Sequence, residues 1–398
     1  MTAFAEFQDV GGVMLADPSL TENANVNVVF NNDAGADYPN YYIIMGNATE
    51  TPLPLSSITS QIINVNASNG IFVGGSLMGS VSGDIRNQIS NSNISNVSGG
   101  SVAAAGNDIG GSIYLTINGG TYHTVIGGYF IAEFRDNTGK LSIGGSTNVI
   151  VNGGTFENIY GGSAGRGSGV DIQAGDVNVV VNAADPSNKV SVNYVYGLSG
   201  EYVEHADKVN ILFTGNGENL DVRSVSAIEH SDENASADER VISFGSQDNA
   251  FVGQFNGEIS NVKIGDQNQF NELVIGKGSS VEFASNFELN VDTLSIFSGA
   301  DVLGVAKITV DDAHNIYISD GTSASDLVLD LGESIILTDQ SQANISVLHE
   351  DGSLFDGAEV AYDPQTNSFA ISNVPEPATY AAIFGALALA FAAYRRRK

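Results

Sequence analysis

"INGGTYHTVIGGY" (residues 117–129) and "VNGGTFENIYGGS" (residues 151–163) are two copies of one phrase. Each has an apolar residue, Asn-Gly-Gly-Thr, an aromatic residue, two variable positions, two core-type residues and a final Gly-Gly. Weaker echoes surround them, and the glycines that end the phrases are Gly46, Gly74, Gly99, Gly127, Gly161 and Gly197, at irregular but similar spacings. A phrase that recurs in this way predicts a solenoid of stacked units.

The residues around the phrase alternate as they do in β-strands. Ile113, Leu115 and Ile117 alternate with Tyr114 and Thr116, which directs one face of the strand inward. Stacked coils pair every backbone and close a continuous core. We expect the Gly-Gly corners to supply positive φ and close approach, and asparagines to form ladders. The pattern predicts an all-β, right-handed parallel β-helix (solenoid), with a β-sandwich array or a β-propeller as alternatives.

The phrase is confined to the first part of the chain, which suggests a division. Residues 1–228 are predicted to be a β-solenoid with irregular Gly-Gly repeats, and the very polar residues 229–240 a loop. Short apolar runs continue through residues 241–349, which we interpret as further coils or a small β domain. Because an open last coil would recruit other chains, residues 350–373 are the expected cap and leader to the tail.

Charge and cysteine content exclude several classes of function. The chain carries a net charge of −31, and residues 374–398 hold four of its basic residues but only one acid. The remaining body, with 45 acids and 11 bases, carries −34 and repels nucleic acid and anionic lipid. The absence of cysteine excludes disulfides and cysteine metal sites. The opening stretch, "MTAFAEFQDVGGVMLADPSL", shows no secretory signal pattern.

The end of the chain differs from the body. Residues 378–394 carry no charge, and as a helix they would span about 25 Å, close to the hydrocarbon thickness of a bilayer. They predict a short C-terminal transmembrane helix, preceded by an extended peptide because prolines cannot continue a helix. Its small-residue face would be Ala378, Ala382, Ala386 and Ala390. A basic stop-transfer cluster follows it and would stay cytoplasmic: Arg395, Arg396, Arg397 and Lys398.

The chain thus ends in Val-Pro-Glu-Pro (residues 374–377), a short span rich in small residues and an arginine-rich terminus. In this order, the three parts closely resemble the PEP-CTERM sorting signal of Gram-negative bacteria. The resemblance implies recognition by an exosortase, a membrane enzyme thought to cut near the Pro-Glu-Pro and release the body to the surface or matrix. The recognition residues would be Val374, Pro375, Glu376 and Pro377. The Gly-Gly-Thr-aromatic repeat of the body is similar to those of bacterial β-helix surface proteins of the autotransporter type.

The sequence offers little catalytic or metal-binding chemistry. Asp311 and Asp312 lie beside His314, but no catalytic signature accompanies them, and we interpret them as a solvated turn. His123, His205, His230 and His349 are scattered and form no zinc motif. Acidic residues in turns could bind calcium weakly at the surface, without a defined site: Asp33, Asp37, Asp176, Asp185, Asp232 and Glu233. We expect no cofactor.

The sequence therefore favours a non-catalytic structural protein of the cell surface, extracellular matrix or biofilm, exported and sorted through its tail. Expected partners are an exosortase-type enzyme, the inner membrane before processing, and an extracellular polysaccharide. The alternatives are a carbohydrate-active β-helix enzyme and a module that binds glycan, calcium or ice. An enzyme should gather two carboxylates, or a carboxylate and a cation, in a groove. A scaffold should show ladders of Asn, Ser and Thr along its faces.

Overall fold

The fold is given by a computed structural model, which describes most of the chain. The described residues are 2–4, 7–9, 13–16, 22–32, 37–38, 40–47, 53–103, 107–131, 139–165, 170–199, 203–229, 235–260, 271–297, 299–318, 327–331, 335–349, 351–355 and 358–373. They form an almost entirely β structure in which most strands run parallel. The prediction of an all-β, parallel β-solenoid is confirmed.

The strands of the first part of the chain are numbered in order. They are β1 Thr2–Phe4, β2 Phe7–Asp9, β3 Val13–Ala16, β4 Asn25–Asn31, β5 Tyr42–Ile44, β6 Ser57–Ile63, β7 Asn66–Val73, β8 Ile85–Ser98, β9 Ile113–Ile126, β10 Phe130–Ile131, β11 Gly139–Ser142, β12 Thr147–Val151, β13 Gly154–Tyr160, β14 Ala164–Gly165, β15 Val170–Ala174, β16 Val177–Ala183, β17 Val190–Leu198, β18 Val203–Asn216 and β19 Leu220–Ile228. A 3-10 turn, Gly217–Asn219, joins the last two.

The second part continues with shorter strands. They are β20 Ala235–Phe244, β21 Phe251–Phe255, β22 Glu258–Ile259, β23 Glu272–Ile275, β24 Ser280–Phe283, β25 Glu288–Phe297, β26 Asp301–Gly304, β27 Lys307–Ile318, β28 Leu327–Asp330, β29 Ile335–Leu337, β30 Ile345–His349, β31 Ala358–Asp363 and β32 Ser368–Asn373. A short α-helix, α1, covers Asp339–Ala343 and is capped by the Thr338 hydroxyl, which accepts from the Ser341 N–H.

Two parallel ladders run the length of the Gly-Gly region. In the first, equivalent positions of successive coils are Val26, Ile58, Ile85, Ile113, Thr147, Val177, Val209 and Arg240. In the second they are Ala67, Ile94, Tyr122, Phe156, Val192 and Val222. We call the corresponding outer surfaces the first face and the second face. Their alternate residues point inward and form one continuous buried core.

The repeated glycines form a column along the axis. Their amides bond to the next coil, for example Gly99 N–H to Ile126 C=O and Gly127 N–H to Tyr160 C=O, both at 2.8 Å. The sequence pattern predicted that Gly46 and Gly74 occupy equivalent positions of successive coils. The Gly46 amide donates to the Gly75 carbonyl instead, so Gly46 is displaced by one residue from the predicted position. A Cβ on Gly127 would lie 2.0 Å from the Gly161 carbonyl oxygen. These glycines therefore permit close packing between coils.

The expected positive φ belongs to a different pair of glycines. Gly127 and Gly161 do not have positive φ, so the prediction for the phrase-ending glycines is wrong on this point. The Asn-Gly-Gly pair earlier in the phrase has it instead, with φ of 82° at Gly119 and 113° at Gly120. These two residues bend strand β9 between the first and second faces, where a side-chain-bearing residue would be strained.

The parallel ladders continue beyond residue 235. Strands β20, β23, β25, β27 and β30 pair in sequence. Two coils in this series are short: 21 residues separate the partners Glu272 and Thr293, and 20 separate Thr293 and Ala313, whereas 31 separate His314 and Ile345. Phenylalanines fill the interior where the two parts meet: Phe213, Phe244, Phe251, Phe255 and Phe283, with ring centroids 4.8–6.2 Å apart. Larger rings thus replace aliphatic side chains here.

The structure differs in detail from the predicted loop at residues 229–240 and the predicted cap at residues 350–373. Of the predicted loop 229–240, residues 230–234 lie outside the described residues, and residues 235–240 belong to strand β20. The loop prediction is therefore too long, because Ala235 and Ala237 are small enough to face the core despite their polar neighbours. Within the predicted cap, β31 and β32 form an antiparallel sheet with β28.

Candidate functional site

An asparagine ladder crosses four coils at the edge of the first face. The Asn152 Nδ2 donates to Asn118 Oδ1 at 2.8 Å, and the Asn182 Nδ2 donates to Asn152 Oδ1 at 2.9 Å. Thr214 extends the ladder by donating to Asn182 Oδ1 at 3.3 Å. A separate asparagine pair lies on the same face, where the Asn178 Nδ2 donates to Asn148 Oδ1 at 3.1 Å. These amides bond to each other and tie neighbouring coils together.

A depression with a volume of about 330 Å³ lies on the second face, and we call it the polar trough. Its rim and floor come from equivalent positions of five successive coils. The lining residues are Ser68, Asn93, Ile94, Ser95, Thr121, Tyr122, His123, Thr155, Phe156, Glu157, Ser191 and Asn193. Because equivalent residues align along the axis, the trough runs parallel to it for about 19 Å, four strand spacings of about 4.8 Å.

The repeated phrase builds the centre of this trough. Thr121 and Thr155 follow the two Asn-Gly-Gly bends, and they stand side by side in paired strands. The aromatic residues of the phrase, Tyr122 and Phe156, point inward and stack with their ring centroids 5.3 Å apart and their planes at 10°. The Tyr122 hydroxyl donates to the Gly119 carbonyl at 2.9 Å, which holds the bend against the floor.

The polar side chains of the trough differ from those of the asparagine ladder. Among the described residues, the side chains of Ser95, Thr121, Thr155, Ser191 and Asn193 make no hydrogen bond to another protein group. All of them are exposed or partly exposed. Their hydroxyl and amide groups are therefore available to solvent or to a ligand.

One titratable pair lies in the trough. The His123 Nδ1 is 3.3 Å from the Glu157 Oε2, with 57% and 50% of the two side chains exposed. The sequence did not predict that His123 would lie beside Glu157. Exposed pairs of this kind contribute little to stability. The pair gives the polar trough one imidazole and one carboxylate, and the other lining residues are uncharged.

A second concavity, of about 400 Å³, lies on the first face of the later coils, and we call it the charged groove. Its lining includes Lys208, Asn210, Ser243, Glu272, Ser295, Phe297, Tyr317 and Asp351. The Ser295 hydroxyl donates to Glu272, and the Lys208 Nζ lies 2.9 Å from Glu239 Oε2. The Phe297 and Tyr317 rings stack at 4.6 Å. A carboxylate and a cation thus share one groove.

The protonation of Tyr317 limits what the charged groove can do. Burial raises the pKa of the Tyr317 phenol, and the nearby Glu272 carboxylate raises this pKa further, against smaller opposite effects of Ser295 and Lys208. The phenol is therefore protonated at neutral pH. It can donate a hydrogen bond, but it is poorly suited to abstract a proton as a general base.

A buried carboxyl group lies beneath the glycine column. Glu204 is fully buried, and its two oxygens lie 3.0 and 3.3 Å from the Ser163 amide nitrogen, which donates to it. Burial raises the pKa of Glu204 to about 7, and the hydrogen bonds from Ser163 oppose this effect. The site is closed to solvent. Sequence reasoning missed it because "EYVEHAD" reads as a surface stretch.

The predicted solvated turn at residues 311–314 is wrong. These residues belong to strand β27, and the His314 side chain is fully buried in the core. Its Nδ1 is 3.1 Å from the Leu294 carbonyl oxygen and donates to it. Burial lowers the pKa of His314 to about 4, so the ring is neutral at pH 7. Asp311 and Asp312 do not join it in a catalytic cluster.

The remaining described histidines and acidic residues show no shared site. His205 Nδ1 lies 2.6 Å from the Ser236 hydroxyl, and His349 lies against Phe355. Asp37 accepts a hydrogen bond from Asn66, and Asp185 caps its own turn through Ser187. Within the described part of the chain, no group of three or more acidic or histidine side chains could hold a metal ion. His230, Asp33, Asp232 and Glu233 lie outside it.

The predicted sorting-signal residues, 374–398, lie outside the described residues, and so do the alanine face and the basic cluster within them. Among the residues that are described, no helix has the length and hydrophobicity required to cross a bilayer. No family model matches the chain, and comparisons with curated proteins and with solved structures also found no match.

Proposed function

We propose that the chain is a non-catalytic structural protein of the cell surface or extracellular matrix, exported and sorted through its C-terminal PEP-CTERM-type signal. The observation that supports this most is the asparagine ladder, in which Asn118, Asn152 and Asn182 bond to one another across successive coils. Side chains used in this way stabilise a rod, whereas a catalytic site needs groups that are available to a substrate.

The finer features of the fold belong to the same proposal. Connections between parallel strands of one sheet are right-handed in about 98% of cases, and we take the solenoid to be right-handed for that reason. Residues 378–394 would form the membrane helix before processing, with residues 395–398 on the cytoplasmic side. The acidic body, which carries −34, would remain hydrated outside the cytoplasm.

The proposal is tested by the fate of the tail. The full chain would be expressed in a host with an exosortase-type enzyme and in the same host without it. Mass spectrometry of the mature C-terminus is expected to show loss of the residues beyond Pro377 only in the first host, with the body at the surface or in the medium. A matched Glu376→Gln variant should retain its tail. An intact, cytoplasmic product in both hosts would overturn the proposal.

A carbohydrate-active enzyme is the second candidate, and the charged groove favours it. Lys208, Glu272 and Tyr317 place a cation, a carboxylate and a phenol on one concave surface. If this were an active site, purified protein would depolymerise an acidic or neutral polysaccharide, and Glu272→Gln would abolish the activity. We expect no activity in either protein, since Glu272 already accepts a hydrogen bond from Ser295 and Lys208 is already paired with Glu239.

A further inference from the structure

We infer that the polar trough binds a neutral polysaccharide chain, which lies along the solenoid axis. This inference rests on the proposed function, because it names the matrix component that a surface solenoid would hold. The first argument is shape. The trough is built from equivalent positions of five coils, so its polar groups recur at each strand spacing of about 4.8 Å. An extended polymer of pyranose units repeats on a similar scale.

The second argument is hydrogen bonding. The side chains of Ser95, Thr121, Thr155, Ser191 and Asn193 make no hydrogen bond to other described protein groups, although similar side chains in the asparagine ladder are paired. Hydroxyl and amide groups both donate and accept, which suits the hydroxyl groups of a sugar. A row of such groups can bind many sugar units weakly and the whole polymer well.

The third argument is charge. The titratable groups of the lining, His123 and Glu157, face each other at 3.3 Å, and the lining holds no lysine or arginine that could bind an anionic polymer. The acidic body would also repel polyuronates and sulfated chains. A cationic peptide would find one carboxylate, and that carboxylate already has a partner. A neutral polysaccharide is the polymer that this lining fits.

The test is affinity electrophoresis of the full-length protein in native gels that contain a neutral glucan, a mannan, a galactan or polygalacturonate. We expect at least one neutral polymer to retard the protein and polygalacturonate to leave its migration unchanged. The double substitution Thr121→Val and Thr155→Val keeps the shape of both side chains and removes two hydroxyl groups. It should weaken retardation about tenfold, as expected for two lost hydrogen bonds.

Thr116→Val is the matched control, because Thr116 belongs to the same strand as Thr121 but lies on the first face. It should bind as the wild type does, and circular dichroism should show that all variants are folded. The inference is overturned if no neutral polymer retards the protein, if polygalacturonate retards it more strongly, or if the double variant and the control bind equally. These outcomes are independent of tail processing, so they are distinguishable from failure of the proposed function.

Discussion

The coils before residue 229 and those after residue 235 differ in how successive turns contact each other and in which side chains fill the interior. In the earlier coils, glycines such as Gly127 and Gly161 let one turn rest directly on the next, and aliphatic side chains fill the interior. Two of the later coils are shorter, and a group of phenylalanines fills the junction. Gly278 and Gly299 have positive φ and open space around them, whereas Gly276 and Gly304 still lie against the backbone of a neighbouring coil.

The difference shows why repetition is visible in only one part of the sequence. Where a Cβ would meet a neighbouring carbonyl, glycine is required at every turn, and the phrase must recur. Where a glycine serves only a local turn, and rings of many shapes can fill the interior, no fixed phrase is needed. Both parts nevertheless keep the parallel pairing of strands.

The largest expected effect is at the aromatic junction. Phe244 is fully buried, and its ring lies within 4.8–5.5 Å of four other phenylalanine rings. Phe244→Ala should lower the free energy of unfolding by about 4 kcal/mol, because it leaves a large cavity. Ile117→Val, in the aliphatic interior, should cost about 1 kcal/mol. Urea denaturation followed by circular dichroism measures both, and equal losses would contradict the contrast.

The next largest loss of stability is expected when a glycine packed between coils, rather than a glycine in open space, is replaced by alanine. Gly127→Ala places a Cβ 2.0 Å from the Gly161 carbonyl oxygen and should cost about 3 kcal/mol as overpacking. Gly299→Ala meets nothing within 4 Å and should cost only about 1 kcal/mol, because φ is 80° there. The same denaturation experiment tests both. A larger loss for Gly299→Ala than for Gly127→Ala would contradict the claim that close contact between coils requires glycine at position 127.

The buried carboxyl of Glu204 should make stability depend on pH. Its pKa in the folded protein, about 7, exceeds the ordinary value of 4.5, so its contribution is fully present below about pH 4.5 and is lost as pH rises through 7. Glu204→Gln should therefore be more stable than the wild type by about 3 kcal/mol at pH 8 and similar to it at pH 4. Urea denaturation at the two pH values measures this, and a pH-independent difference would contradict the account.

The smallest expected effect separates the ladder from the trough. Asn152→Ala removes two hydrogen bonds between coils and should cost about 1 kcal/mol. Asn193→Ala, in the polar trough, removes no bond to another described group and should leave the free energy of unfolding unchanged within about 0.5 kcal/mol. Thermal unfolding of the two variants beside the wild type provides the comparison. Equal losses would mean that the ladder contributes nothing specific.

The sequence predicted the fold class, with a β-sandwich array and a β-propeller left as alternatives. The Gly-Gly-Thr phrase and the alternation at Ile113, Leu115 and Ile117 were enough to favour a parallel solenoid. It did not predict the burial of His314 or Glu204, because polar residues in a polar stretch give no sign of which face they occupy. The trough was missed for a related reason, since equivalent residues such as Thr121 and Thr155 meet only after coils stack.

The most direct test of the central claim, one continuous parallel solenoid, uses engineered disulfides in this cysteine-free chain. Asn178 pairs with Asn210 in the earlier coils, and Asn290 pairs with Thr309 in the later ones. Cysteines at either pair should crosslink under mild oxidation. Cysteines at Asn148 and Asn210, two strands apart at about 9.6 Å, should not. Crosslinking of the distant pair, or failure of both adjacent pairs, would contradict the account.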